Sequence, residues 1–231
     1  MVMEKLRPLA NKIIIPIAEK IKNSNVSPNI LTISGFFVVL AGAIYTALVG
    51  IFQLPPLLLH FSFWFLFFGS FLDVLDGAVA RVTNKKTKFG GVLDSTMDRY
   101  SDGVFIFGLI IGGWLSHFGK DVGIIVGFLG LVGAIMTSYV RSRAEVEGAK
   151  MAGVGLIERG ERLTIIGFGL LFESGFHQFG VFFWVFLVLT ILMHFTTIQR
   201  IHHAFKVLKN EETDTESDDK VVEEPEKAGE N

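Results

Sequence analysis

Four aspartates stand in two pairs within otherwise apolar sequence. The first pair lies in Asp73-Val74-Leu75-Asp76-Gly77-Ala78-Val79-Ala80-Arg81, the second in Gly90-Gly91-Val92-Leu93-Asp94-Ser95-Thr96-Met97-Asp98. Spacings of three and four put each pair on one helix face. Carboxylates inside a membrane span are costly and mark function. Four that converge cannot all stay ionised without cations between them. Oxygen-only ligands favour hard ions, Mg²⁺ or Mn²⁺, and two ions bridged by shared carboxylates suit phosphoryl transfer. Gly77 and Ala80 remove bulk beside the acids, Arg81 can pair with phosphate, and Lys85, Lys86 and Lys88 raise the local anion concentration. The same acids could line a cation path, and the lysines alone fit a cytoplasmic loop.

The elements that must position these residues are membrane helices. Half of the 231 residues are hydrophobic, 19% are charged, and there is no cysteine. Disulfides, Cys-ligated zinc and thiol catalysis are therefore excluded, and so little charge argues against a soluble fold or a nucleic-acid partner. Six apolar stretches are long enough to cross a bilayer: Ile30–Leu54, Pro55–Ala80, Gly91–Trp114, Val122–Val140, Leu163–Phe176 and Phe179–Ile198. The expected fold is an all-α integral membrane protein of six transmembrane helices behind an N-terminal amphipathic interfacial helix. That helix occupies residues 1–26, with Leu6, Leu9, Ile13, Ile17 and Ile21 at helical spacing. Ser27-Pro28 reads as an N-cap and first helical residue. The transmembrane domain spans 27–209. Residues 210–231 hold ten acids and two lysines and read as a disordered acidic tail. Of the 21 Lys and Arg residues, all but Lys120 fall at the termini or in the second–third and fourth–fifth connections. The positive-inside rule then places both termini and the acid pairs on the cytoplasmic side.

The stretch Asp73–Asp98 reads D-x2-D-G-x2-A-R-x8-G-x3-D-x3-D and resembles the CDP-alcohol phosphotransferase motif at every defined position. The resemblance implies displacement of CMP from a CDP-linked lipid by an acceptor hydroxyl. It implies metal ligation by Asp73, Asp76, Asp94 and Asp98, by two Mg²⁺ or Mn²⁺ ions, with Asp98 also the general base. It further implies CDP-lipid binding by Asn29, Thr32, Asp73, Gly77, Ala80, Arg81 and Thr87, a prokaryotic cell membrane as the location, and a homodimer by analogy.

The second basic connection bears on the acceptor. Ser138-Tyr139-Val140-Arg141-Ser142-Arg143-Ala144-Glu145 and Ile157-Glu158-Arg159-Gly160-Glu161-Arg162, followed by Arg200, offer more guanidinium groups than a neutral alcohol needs, and Arg binds phosphate bidentately. These runs resemble the phosphatidylinositol-phosphate and archaetidylinositol-phosphate synthase branch. The resemblance makes Arg141, Arg143, Arg159 and Arg200 the cradle for the phosphate of inositol 1-phosphate. Arg141 and Gly160 depart from that branch, where Lys and Pro are expected. A glycerol-3-phosphate acceptor is the alternative within the same chemistry. An intramembrane prenyltransferase and a cation transporter are the alternatives outside it.

Overall fold

The structure, a computed structural model, describes residues 2–22 and 26–223, with side chains described for 12–22, 26–177 and 179–210. Every regular element among them is helical: α1 (Val2–Ile21), α2 (Pro28–Ile51), α3 (Leu59–Val82), α4 (Lys88–Ile111), α5 (Lys120–Val146), α6 (Arg159–Phe176) and α7 (Val181–Glu223). Single 3₁₀ turns lead into α3 and α7.

Local chemistry sets the boundaries that matter for the acid pairs. Ser27 caps α2, its Oγ accepting from the Ile30 amide at 3.3 Å, with Pro28 opening the helix. α3 stops at Asn84, whose φ of 55° is left-handed, and the Lys85 amide bonds back to the Ala80 carbonyl at 3.1 Å. Thr87 is then extended, and its hydroxyl accepts from the Gly90 amide at 2.9 Å to cap α4. This short connection brings carboxylates near the end of α3 within reach of one near the start of α4.

Among the described residues, four segments are long and apolar enough to cross a membrane: Pro28–Ile51, Pro56–Val82, Lys120–Val146 and Val181–Asn210. A helix of 24 residues such as α2 is about 36 Å long, more than the roughly 30 Å of a hydrocarbon core. Large apolar side chains stand on the outer surface, among them Phe37, Phe107, Phe128 and Ile198. This is the surface of an integral membrane protein. The other two expected spans, Gly91–Trp114 and Leu163–Phe176, fall in α4 and α6, which carry more charge. α4 carries Lys88, Asp94, Asp98, Arg99 and Asp102, and α6 carries Arg159, Glu161, Arg162 and Glu173. Their charge has a physical reason: these two helices turn polar faces into the interior.

α2 packs between α3 and α4, α5 against α7, and α6 against α3 and α7. Phe105, Ile106 and Leu109 of α4 meet Leu66, Leu170, Phe182, Phe186, Leu189 and Met193 in the main core. Close backbone approach requires glycine at Gly108, where a Cβ would lie 2.6 Å from the Ala43 carbonyl oxygen.

α1 rests on the end of α3. Ile14 and Ala18 are buried with Leu31, Leu75, Ala78 and Val79. Of the expected apolar stripe, Ile17 and Ile21 pack against this cluster, while Ile13 is 62% exposed; packing on α3 selects the edge centred on Ile14 and Ala18. Leu6 and Leu9 lie outside the described side chains. At the other end, α7 runs to Glu223, so its backbone stays helical into the segment for which no regular structure was expected; residues 224–231 are outside the described ones.

Candidate active site

Asp73 and Asp76 come from the last turns of α3, Asp94 and Asp98 from the first turns of α4. One carboxylate oxygen from each of Asp73, Asp76 and Asp94 lies within 4.8 Å of the others. Asp76 is buried, and the Thr32 hydroxyl of α2 donates to its Oδ2. Asp98 stands beside this trio with a different partner. Arg159, the first residue of α6, places Nη1 2.9 Å from Asp73 Oδ2 and 2.7 Å from Asp98 Oδ1. The Asp73 contact is an aligned hydrogen bond. The Asp98 contact is not, and Asp98 Oδ1 is buried without a hydrogen bond.

The donor set fits a divalent cation. Three carboxylate oxygens within one ion's reach, half-buried or buried, are what a hard cation satisfies. Sequence reasoning expected Asp98 in the ligand set; among the described residues the grouped oxygens are those of Asp73, Asp76 and Asp94, and Asp98 lies beside them, sharing Arg159 with Asp73.

A cavity of about 230 Å³ opens beside the trio. Asn29, Thr32, Gly77, Ala80, Arg81 and Thr87 line it, together with Asp76 and Asp94. Six of the seven residues expected to bind CDP-lipid thus share one wall, with Asp73 next to it in the acid trio. A Cβ on Gly77 would meet only Arg81 Nη1, at 3.6 Å, so the helix backbone there faces open space. Lys85 and Lys86 also line the cavity, giving an acid floor a basic rim. A larger, mostly apolar groove of about 950 Å³ runs between α4 and α5, bounded by Val104, Phe107, Leu131 and Ile135, and shares Gly91 with the first cavity.

Residues 25–198 match the CDP-alcohol phosphatidyltransferase family. The chain belongs to that family. It is 39% identical over 207 residues to the archaetidylinositol phosphate synthase of Pyrococcus horikoshii, a match covering 90% of this chain and 98% of that one. The crystal structure of the Mycobacterium tuberculosis phosphatidylinositol phosphate synthase with CDP-DAG bound has a TM-score of 0.72 at 31% identity, over 84% of this chain and 94% of that chain. The same protein in complex with manganese and citrate gives 0.70 at 31% identity, over 83% and 88%. The motif reading of Asp73–Asp98 and the branch reading of the arginine runs therefore agree with these relatives, and the chain is a transferase.

In this CDP-alcohol phosphatidyltransferase the four arginines expected at an acceptor phosphate are not equivalent. Arg159 sits among the acids. Arg141 pairs with Glu145 at 3.0 Å and approaches Glu158 at 3.9 Å. Arg200 is buried, donating to the Val154 carbonyl at 2.9 Å and the Thr137 carbonyl at 2.6 Å, and has Arg141 and Glu158 among its charged neighbours. Gly155 makes this approach possible: its φ is +108° and a Cβ would lie 3.2 Å from Arg200 Nε. Arg143 is two residues from Arg141, on the opposite side of the helix, exposed and paired with Glu147. The structure gathers Arg141 and Arg200 near Glu158, and leaves Arg143 outside that group.

The sequence reading missed Asp102 and, for Arg162, saw only one more guanidinium of the second basic run. Asp102 and Arg162 form an ion pair whose side chains are each 2% exposed. Arg162 also reaches the Ala134 carbonyl at 3.3 Å and Thr137 Oγ1 at 3.5 Å. Asp102 Oδ1 lies 3.7 Å from Arg159 Nε, so the pair backs the guanidinium that touches Asp73 and Asp98. The signal was present: Asp94, Asp98 and Asp102 recur every four residues on one face.

Thr32 supplies a direct test of the support given to the acids. Thr32→Val keeps the shape and removes the donor to Asp76. Its expected cost is about 10–100-fold in metal affinity or activity, as for other partners of metal ligands, read by Mn²⁺ titration and CMP release. An unchanged Mn²⁺ affinity and rate would remove Thr32 from the site.

Proposed function

We propose that the protein is a membrane phospholipid synthase. It transfers the phosphatidyl-type group of a CDP-linked lipid to inositol 1-phosphate and releases CMP. The observation that carries this reading is the convergence of the Asp73, Asp76 and Asp94 oxygens at the wall of the cavity lined by Asn29, Gly77, Ala80, Arg81 and Thr87. Relatives named for inositol phosphate products support the acceptor.

In this reading Asp73, Asp76 and Asp94 hold divalent cations, two Mg²⁺ or Mn²⁺ ions with Asp98 as a further ligand in the loaded state. Bound there, the ions neutralise the pyrophosphate and the leaving CMP. Gly77 and Ala80 let the nucleotide approach the α3 backbone, Arg81 and the Lys85–Lys86 rim bind its phosphates, and Asn29 and Thr87 border it. Arg159, Arg141 and Arg200 hold the acceptor phosphate, and Arg143, on the other side of α5, adds its charge to the attraction of the anion at longer range. Asp98 accepts the proton of the acceptor hydroxyl as the new O–P bond forms at the β-phosphorus and the bond to CMP breaks.

The membrane arrangement belongs to the same proposal. α2 to α7 make six spans, with α4 and α6 turning their polar faces inward and apolar ones such as Phe107 and Phe172 outward, and α1 lies along the inner interface. Both termini and the site face the cytoplasm, in a prokaryotic cell membrane. The residue groups 1–26, 27–209 and 210–231 are retained as interfacial helix, catalytic domain and acidic tail. A homodimer rests on the family resemblance alone.

The deciding experiment incubates purified protein with CDP-lipid, Mg²⁺ and one acceptor at a time: inositol 1-phosphate, glycerol 3-phosphate, serine or free inositol. CMP release is expected with inositol 1-phosphate, at least about tenfold above the others. Equal release with free inositol would remove the phosphate pocket, and a preference for glycerol 3-phosphate would move the protein to the alternative acceptor. Asp98→Asn is expected to lower kcat by about 10²–10⁴-fold while CDP-lipid binding persists. Full turnover by that variant would remove Asp98 as the base.

A further inference from the structure

Arg159 is placed where a cation is expected. Its Nη1 lies between Asp73 Oδ2 at 2.9 Å and Asp98 Oδ1 at 2.7 Å. The side chain is 20% exposed, so its charge is poorly screened by water. The acid trio within mutual reach is Asp73, Asp76 and Asp94, and the remaining acid of the motif, Asp98, faces the guanidinium instead. Arg159 is held chiefly by charge. One of its contacts to the acids is an aligned hydrogen bond, its Nε makes no hydrogen bond and faces Asp102 Oδ1 at 3.7 Å, and Asp102 is committed to Arg162 through its other oxygen. A group held mainly by charge can exchange one anion for another.

We infer that Arg159 is a resident stand-in for the second divalent cation at Asp73 and Asp98, and that the acceptor phosphate releases it. While Arg159 lies between these carboxylates, like-charge repulsion and loss of the Asp98 oxygen weaken divalent binding there. A dianionic phosphate draws the guanidinium away and opens the second position. Acceptor and second cation therefore bind cooperatively, each raising the other's affinity by the same factor. The coupling rests on the proposed role of Arg159 at the acceptor phosphate. The stand-in does not, because it depends only on the ion pairs.

The test is a Mn²⁺ titration of the purified full chain in detergent, following free Mn²⁺ by electron paramagnetic resonance. It is run with and without inositol 1-phosphate and corrected for Mn²⁺ bound by inositol 1-phosphate itself. Wild type is expected to bind one ion tightly and a second weakly, with the second tightening about tenfold on adding inositol 1-phosphate, within the usual range of coupling. R159Q is expected to bind the second ion at least about tenfold more tightly than wild type without any acceptor, and to show no further gain with it. Unchanged second-site affinity in R159Q overturns the stand-in. Tightening in R159Q with no acceptor effect on wild type overturns the coupling and the acceptor role of Arg159. Should R159Q not accumulate, the wild-type pair of titrations decides the coupling, and R159K, with a single-point charge on a different stem, decides the stand-in by a shift of the second site alone.

Discussion

Asp76→Asn is expected to lower kcat/KM for CMP release by at least about 10³-fold, the upper range for loss of one group that stabilises developing charge. Asp76 is the most buried acid of the trio, 5% exposed, and it alone has a donor from α2, the Thr32 hydroxyl. Asparagine keeps the volume and an oxygen that can accept from Thr32, so the α2–α3 contact survives. What is lost is the charge and one strong oxygen ligand out of the three that lie within 4.8 Å. The variant should therefore remain folded, with an unfolding temperature in detergent close to wild type, and show Mn²⁺ affinity lowered at least about 10–100-fold. Wild-type turnover with intact Mn²⁺ binding would remove Asp76 from the ligand set. Lost folding alongside lost activity would make its role structural.

Asp102→Ala is expected to destabilise the protein by about 3–5 kcal/mol, the range for removing one partner of a buried pair. Arg162, 2% exposed, would be left without its carboxylate, and its remaining contacts, to Ala134, Thr137 and Met193, carry no negative charge. The double variant Asp102→Leu with Arg162→Met removes both charges at similar volume and should recover most of that stability, since well-packed apolar residues replace such pairs at little cost. Activity should not return with it, because Arg159 loses the Asp102 contact behind it. Thermal unfolding in detergent reads the first effect and CMP release the second. Recovery of full turnover in the double variant would confine Asp102 and Arg162 to a packing role.

Most of the chemistry was legible because it is local. The Asp73–Asp76 and Asp94–Asp98 spacings fix which acids share a helix face, and the short stretch between them forces α3 and α4 to reverse. Asn29 and Thr32 were legible only as part of a family pattern; their place at the acids follows from α2 packing against both α3 and α4. The arginines were the opposite case. Composition gathered Arg141, Arg143, Arg159 and Arg200 as one group, but helix phase separates Arg143 from Arg141, and backbone carbonyls claim Arg200. The Asp102–Arg162 pair was missed because each looks ordinary alone: an acid on an apolar helix and one more base of a basic connection. Their partnership spans 60 residues of sequence, and only the tertiary structure, which brings the two side chains together, reveals it.

By itself the sequence determined that the chain is a bundle of apolar helices, that its basic residues gather in alternate connections, and that an oxygen-only acid motif of the CDP-alcohol phosphatidyltransferase kind joins two of those helices. These are properties of periodicity, composition and short spacing, which survive without knowing any long-range contact. The tertiary structure alone decided how the acids divide, with Asp73, Asp76 and Asp94 within one cation's reach and Asp98 held by an arginine from α6. That division depends on the approach of α6 to α3 and α4. Helix packing is set by many side chains at once, so no local pattern in the sequence encodes it.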